Sequence, residues 1–513
     1  MLALFALLLF KNNNEAGKMH NKKYVLSIDQ GTTSSKALLF DRQGNRVAIS
    51  RSTTHALFYP QNGFVEQDAE EIYNEVCRIA KDVLEQAGAT SQEVACLSLS
   101  VQTGVLLFWE KKTGKPVYNL IGWQCARGQD AAEALTQEEQ EHICRISGTH
   151  MNGHCIAAKM QWMFENVQGL YERVKSGEVL MGTDESYLVW RLTGGACHPI
   201  EYNNACTTKL FDFTRMAWDP YMLQKLHLTA EMLPTVLPSD ACFGVVTEPG
   251  LEGIEIWGVL WDSCAALFSH RSYSVGDAKA SYGTGTTVVI NVGTAFPHMA
   301  TDCLTVGWGA NGKITYLRQA NSVCTGATVK WLADALELIP NVESAEVIAS
   351  TVADTDGVYL VPAFSGLTAP YFDDKARACI VGMTRSTNKA HIVRAGLESI
   401  AYQVKAMLDS VRASCEYPCK KLFADSGASG NKLLMQFQAD LLGIQVVCEN
   451  IPEASGVGMA YFGGLACGFY ASIEELAQLS TSQRIYEPTW DENTRERHYR
   501  GWEEAVRKSR SIL

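Results

Sequence analysis

The chain has 513 residues, 47% of them hydrophobic and 19% charged, with a formal net charge of -12 at pH 7. At about 150 residues per domain this predicts roughly two to four domains of an ordinary globular protein. The acidic balance leaves no surplus of Lys and Arg to neutralise a phosphate backbone, which argues against nucleic acid as a partner. A small anion would have to be held by local donors.

Sixteen cysteines are spread along the chain without a Cys-x-x-Cys pair, the nearest two being Cys415 and Cys419. That spacing predicts reduced, mostly buried thiols in a cytoplasmic protein rather than a disulfide scaffold. The opening "MLALFALLLF" is too short to span a bilayer, and "KNNNEAGK" supplies no clear cleavage site. Residues 1–22 are therefore expected to be an N-terminal extension without structure, with a start before Met19 as one origin and secretion as the alternative.

The first patterned stretch is "YVLSIDQGTTSSKALLF", Tyr24 to Phe40. An apolar run ends on Asp29. Gly31 and the hydroxyls of Thr32, Thr33, Ser34 and Ser35 follow, and a second apolar run begins at Ala37. The segment "SKALLFDRQGNRVAIS" continues as two strands around a turn that contains Gly44. "QDAEEIYNEVCRIAKDVLEQAG" then predicts a helix with a capping start at Asp68 and Glu71, and with Ile72, Val76, Ile79 and Val83 on one face. "VACLSLSV" reads as a buried strand. Strands followed by helices argue for α/β architecture.

Half a chain later "KASYGTGTTVVINVG" repeats a Gly-Thr-Thr, at Gly285, Thr286 and Thr287, beside an apolar strand. Two such echoes predict a duplicated α/β unit, with a boundary near residues 255–275. A third turn, Asp425-Ser426-Gly427-Ala428-Ser429-Gly430-Asn431, lies between a strand and a helix. It fits neither the Walker loop nor the dinucleotide fingerprint. Glycines let backbone N–H groups approach a phosphate, Ser and Thr add donors, and a strand-end acid can hold Mg²⁺. Asp29 with Thr32, Thr33 and Ser34 thus reads as one phosphate-and-metal clamp, and Gly283-Thr284-Gly285 as a second. Two hairpin turns with capping hydroxyls would give the same pattern.

Taken together, "DQGTTSSKALLFD", "GFVEQD", "KKTGKPVYNLIGWQ", "LVWRLTGG", "GVYLVPAFSGLTAPYFDD", "LESIAYQ" and "LLMQFQADLLG" make the chain, from about Lys23 to Arg507, resemble the FGGY family of carbohydrate kinases, glycerol kinases above all. The resemblance implies two actin-like (ribonuclease-H-like) domains that close on ATP·Mg²⁺, at 23–265 for the acceptor and first phosphate loop and 266–513 for the nucleotide. It also implies a homo-oligomer with neither a membrane nor a nucleic-acid partner. By position, Asp29, Thr32, Thr33, Ser34 and Lys36 match the first phosphate region. Thr284 matches the second, Gly326 and Lys330 flank the nucleotide, and Gly427 and Asn431 match the adenosine side.

Asp262, in "GVLWDSCAALF", matches the catalytic base. Phosphoryl transfer needs a carboxylate at the attacking hydroxyl. Spacing alone fits a helix N-cap as well. Asp29 and Asp262 are also the expected water-mediated partners of Mg²⁺.

The acceptor side departs from the family. Glycerol kinases carry Gln-Arg-Glu where this chain has Gln102-Thr103-Gly104. His154 stands for a tyrosine, Ser263 for a glutamine, Thr287 for a phenylalanine, and only Trp123-Gln124 survives of Trp-Gln-Asp-Arg. These changes run from larger to smaller side chains. They predict an acceptor larger than glycerol, a polyol or sugar of four to six carbons, met by Gln102, Thr103, Trp123, His154, Asp262, Ser263 and Thr287. A glycerol kinase and a non-catalytic nucleotide-binding sensor are the alternatives. A lone His154 could equally be structural, and no second zinc ligand lies at the required spacing.

Overall fold

The computed structural model describes residues 21–296, 304–373, 375–412, 419–449, 451–479 and 483–510. The extension expected at 1–22 lies outside them except for its last two residues. Of these, Lys22 already donates to the carbonyl of Val94, 2.8 Å away. The chain packs as two compact units that are not contiguous in sequence. The first takes the described residues of 1–271, 300–316 and 452–480, the second those of 272–299, 317–451 and 481–513. Among the described residues no helix is long and apolar enough to cross a membrane, and the described cysteines are free thiols.

The first unit starts with β1 (Tyr24–Gln30), β2 (Ser35–Asp41) and β3 (Arg46–Arg51), an antiparallel meander. Helix α1 (Ala69–Ala87) follows. The Asp68 carboxylate accepts from the N–H groups of Glu70 and Glu71, and left-handed Gly88 ends the helix. Strand β4 (Val94–Val101), buried at every position, runs parallel to β1.

Helices α2 (Ile156–Asn166), α3 (Asp184–Leu192) and α4 (Tyr202–Thr207) come next. The chain then returns to the sheet as β5 (Cys242–Val245) and β6 (Glu255–Trp261), and leaves as α5 (Asp262–Ser269). The sheet order is β5-β6-β4-β1-β2-β3.

The second unit contains β7 (Ala278–Tyr282) and β8 (Thr286–Gly293), an antiparallel hairpin. Strand β9 (Leu304–Ala310) and the start of β10 (Lys313–Ser322) are counted with the first unit, and the rest of β10 precedes α6 (Gly326–Asp334) and the long α7 (Lys389–Arg412) in the second. Then come β11 (Lys421–Asp425), α8 (Lys432–Leu442) and β12 (Gln445–Glu449); α9 (Ala454–Ala466) falls in the first unit, and β13 (Gln483–Tyr486) and α10 (Glu492–Arg510) return to the second. The second sheet has the order β9-β10-β8-β7-β11-β12-β13. Its inner run, β10-β8-β7-β11-β12, repeats β3-β2-β1-β4-β6. In each, an antiparallel hairpin is extended by two parallel strands and then by an antiparallel edge. The duplication expected from the two Gly-Thr-Thr echoes is therefore present in the topology.

Residues of β1 and β2 divide between faces with period two. Leu26, Ile28, Ala37 and Leu39 join Ile72, Val76 and Val83 of α1 in one core. On the other face Ser27 donates to Gly456 O at 2.7 Å, and Leu38 lies against Gly456 of α9. The glycines of α9 are what let it close on its neighbours. A Cβ at Gly458 would stand 1.7 Å from the carbonyl oxygen of Ala265 in α5. So α9, though it follows the second half of the sequence, completes the first unit.

Candidate active site

The parallel register brings three predicted residues to one edge of the first sheet. Asp29, the last residue but one of β1, lies opposite Ser100 of β4, and Val101 of β4 lies opposite Trp261 of β6. Gln102 leaves β4 with its N–H on Gln30 O, 3.0 Å away. Asp262 leaves β6 as the first residue of α5, with Trp261 in the capping position. The helix-cap reading of Asp262 thus gives way, because the cap falls one residue earlier on a side chain that makes no capping bond. These are the carboxyl ends of neighbouring strands, the usual place for a ligand in an α/β sheet.

The loop Gly31–Ser34 turns tightly, with Gly31 N donating to Ser34 O at 3.1 Å. Thr33 O accepts from His55 N at 2.8 Å. Thr32 Oγ1 donates to Gln102 Oε1 and accepts from Trp123 Nε1, both at 3.0 Å. Gln102 Nε2 donates to Gln67 Oε1 at 3.2 Å, and Gln67 Nε2 to Thr32 O at 2.8 Å. A hydroxyl expected on phosphate therefore joins two residues expected on the acceptor. Trp123 spends its N–H on this network and remains 46% exposed, which leaves an aromatic surface to solvent.

Thr103 donates to Thr207 Oγ1 at 3.3 Å. Ser263 Oγ donates to Asp262 Oδ1, and Ser455 Oγ at the head of α9 donates to Asp262 O, each at 3.1 Å. His154 is exposed in the turn before α2, its backbone N–H on Asn152 Oδ1 at 3.0 Å.

Burial pushes the Asp29 carboxyl up to about 6. Lys36 opposes that rise, and the charges of Asp262 and Glu453 add to it. Lys36 Nζ lies 3.8 Å from Asp29 and 2.5 Å from Glu453, which also accepts from Arg51 at 2.8 Å. Glu453 holds both cations from a left-handed backbone, φ 63°, at the head of α9. Mutually repelling carboxylates at Asp29 and Asp262 are the donor set that a divalent cation relieves. Among the described residues no cluster of three or more His, Cys, Asp or Glu side chains could cage a metal. The pair therefore fits Mg²⁺ carried largely by water and nucleotide phosphates.

Sequence reasoning missed three residues here. Glu453 is one. Asp184, the first residue of α3, is buried, with Oδ1 accepting from Glu185 N at 2.9 Å and Oδ2 without a protein partner. Burial, with Asp262 as a further repelling charge, pushes its carboxyl up to about 8. Lys159 of α2 is fully buried and donates to Gly104 O at 3.0 Å and Gly122 O at 2.8 Å, with Trp123 O 3.5 Å away. For Asp184 and Lys159 the only sequence signal was a charge among the apolar residues of a helix, and Glu453, which precedes α9, gave none.

In the second unit the turn Gly283-Thr284-Gly285 joins β7 to β8 and meets the start of α6. Gly326 N donates to Gly283 O at 3.1 Å and Ala327 N to Thr284 O at 3.0 Å. The approach is too close for side chains. A Cβ at Gly326 would lie 2.4 Å from Gly283 O, and one at Gly285 2.4 Å from Ser322 O. Thr284 and Gly326 are thus brought together.

Lys330 is 70% exposed and ion-paired with Asp334 one turn along α6. Thr287 sits in β8 opposite Ser281, in the second unit, whereas the other acceptor candidates lie in the first. Gly427 opens a short 3-10 turn after left-handed Ser426, and Asn431 caps α8 by accepting from Leu434 N at 2.9 Å. Beneath this turn, Lys279 of β7 pairs with Asp425 at 3.1 Å, both largely buried.

Comparison with known proteins places this geometry. The model of the FGGY family of carbohydrate kinases, N-terminal domain, matches residues 24–269, and the C-terminal domain model matches 278–467. A glycerol kinase of Carboxydothermus hydrogenoformans is 41% identical over 496 residues, covering 95% of this chain and 98% of that protein. Glycerol kinase 2 of Thermotoga maritima is 40% identical over 491 residues, covering 95% and 99%. The crystal structure of Plasmodium falciparum glycerol kinase with ADP superposes with a TM-score of 0.90 at 28% identity, covering 96% of this chain and 99% of that one. A ligand-bound xylulose kinase from Lactobacillus acidophilus shares the fold, with a TM-score of 0.84 at 19% identity, covering 96% and 99%.

Proposed function

This chain belongs to the FGGY family of carbohydrate kinases, and from that premise we propose that it transfers the γ-phosphoryl group of ATP to a primary hydroxyl of a polyol or sugar larger than glycerol, of four to six carbons. The observation that carries the reading is the convergence of Asp29, Gln102 and Asp262 on the carboxyl ends of β1, β4 and β6.

Asp262 takes the proton of the attacking hydroxyl as its oxygen bonds the γ-phosphorus and the bond to the ADP oxygen breaks. Ser263, hydrogen-bonded to its carboxylate, fixes its orientation. Thr32, Thr33, Ser34 and Lys36 line the first phosphate region. Gly283-Thr284-Gly285 with Gly326 forms the second phosphate turn, and Gly427 and Asn431 take the adenosine. Asp29 and Asp262 would hold Mg²⁺ through water, and the ion would supply neutralisation of the nucleotide's phosphate charge.

The acceptor half supports the larger substrate. Trp123 offers an aromatic face and Gln102 a fixed amide, and Thr103, Gly104, His154 and Ser263 are smaller than the side chains that the resemblance to glycerol kinases implies at those positions. A site built to pair hydroxyls discriminates strongly between acceptors.

The second reading is phosphorylation of glycerol itself, favoured by the relatives at about 40% identity. A panel of polyols and ketoses from three to seven carbons, read by ADP release with Asp262→Asn as control, decides between them. Glycerol outperforming every longer acceptor sinks the proposal. Nucleotide binding without turnover on any alcohol would instead indicate a sensor.

A further inference from the structure

Lys159 is a fully buried cation of the first unit. It stands on α2 with no exposed surface, and its ammonium donates to carbonyls alone: Gly104 O at 3.0 Å, Gly122 O at 2.8 Å and, at the limit, Trp123 O at 3.5 Å. A buried ammonium without a carboxylate is costly, and its retention here depends on those acceptors. Burial accordingly lowers its pKa to about 8.

The carbonyls belong to two separate segments. One follows β4 and carries Gln102 and Thr103. The other carries Trp123. The same segments are already joined on their far side by Thr32, which bonds both Gln102 and Trp123. The two segments are also in contact, since a Cβ at left-handed Gly104, φ 73°, would lie 3.4 Å from Trp123 Cβ.

We infer that Lys159 is a positioning residue for the acceptor, a clasp whose ammonium fixes the separation between the Gln102-Thr103-Gly104 segment and Trp123 and so sets which polyol fits. The inference rests on the acceptor reading given above. It assigns Lys159 no contact with substrate. Its effect reaches the acceptor through two backbone segments, and its ammonium bonds neither phosphate turn directly.

The test uses the full-length enzyme and two variants. Lys159→Met keeps the stem and removes every donor, and Lys159→Gln restores an amide donor at shorter reach. Each is measured with the acceptor panel, with ADP binding by calorimetry and by thermal unfolding. Hydrogen bonds from a charged donor, once lost, predict an acceptor KM raised about ten- to a hundredfold in Lys159→Met. Preference among acceptors flattens, ADP affinity stays within about twofold, and Lys159→Gln recovers part of the loss.

An active wild type whose acceptor KM and preference survive Lys159→Met overturns the clasp alone. Loss of ADP affinity in step with acceptor affinity, or failure of both variants to fold, assigns Lys159 to general core support and also overturns it. A wild type inert on every alcohol overturns the kinase reading, and the clasp falls with it.

Discussion

Replacing Asp184 with Asn should stabilise the protein, and by an amount that grows with pH. The side chain is buried, one oxygen is bonded to Glu185 N and the other has no protein partner. Its carboxyl is raised from 3.8 to about 8, first by burial and then by the Asp262 charge. The folded state therefore holds a proton that the unfolded chain releases. Stability from this group is fully present below about pH 4 and is lost as pH rises, until the folded carboxyl itself ionises near 8.

Each unit of pH in that window removes about 1.4 kcal/mol. At pH 5 the accumulated cost is about 2 kcal/mol, and at pH 7.5 about 5 kcal/mol, as order-of-magnitude figures. Asn keeps the shape and the bond to Glu185 N and has no proton to lose. Urea unfolding of wild type and Asp184→Asn at the two pH values measures the difference directly. A gap that does not widen between pH 5 and 7.5, or a variant less stable than wild type at pH 7.5, would refute the account. Other titrating groups are common to both proteins and cancel.

Asp262→Asn should reduce kcat by roughly 10² to 10⁴ while ADP affinity changes less than about twofold, and near wild-type turnover would remove Asp262 from the role of base. Gly326→Ala must displace the turn at Gly283, because its Cβ would meet the Gly283 carbonyl oxygen at 2.4 Å. ADP affinity by calorimetry is expected to fall about tenfold or more, a loss of about 1.4 kcal/mol, and unchanged affinity would show that this contact does not shape the nucleotide turn. Lys279→Met leaves Asp425 largely buried without its 3.1 Å partner. Breaking such a pair typically costs about 3–5 kcal/mol, and Lys279→Met/Asp425→Leu should recover most of it. If the double variant melts no higher than the single one, the lost ion pair is not the cause.

What could be read from sequence was set by local rules. The Asp68 cap, the apolar face of α1 and the fully buried β4 follow from periodicity and capping chemistry that act within one turn or one strand. The echo of Gly31-Thr32-Thr33 at Gly285-Thr286-Thr287 exposed the duplication, because the same turn was needed in both halves. Joining distant residues was harder. Thr32 bridging Gln102 and Trp123 depends on three segments meeting in space, and no spacing rule reports that. Lys159 and Asp184 were passed over because charged residues on helices are ordinarily solvated. Only tertiary packing decides that these two are not. Lys330 shows the converse, since an expectation drawn from resemblance met an exposed side chain paired within its own helix.

The placement of α9 also bears on how the protein is made. Ser27 bonds Gly456, Leu38 packs on it, and Lys36 and Arg51 pair with Glu453, so the first sheet needs residues after 452 to cover one of its faces. During translation, about 180 residues separate the end of β6–α5 from α9, which at ribosomal speed is a delay of roughly 10 to 40 s. For that interval the emerging sheet carries Leu38, which lies against Gly456, and Val25, which lies against Gly464, without their cover. A nascent chain of this protein should accordingly be a client for chaperones that bind apolar surface. An isolated fragment ending at Arg271 should aggregate unless a peptide spanning 452–480 is supplied with it.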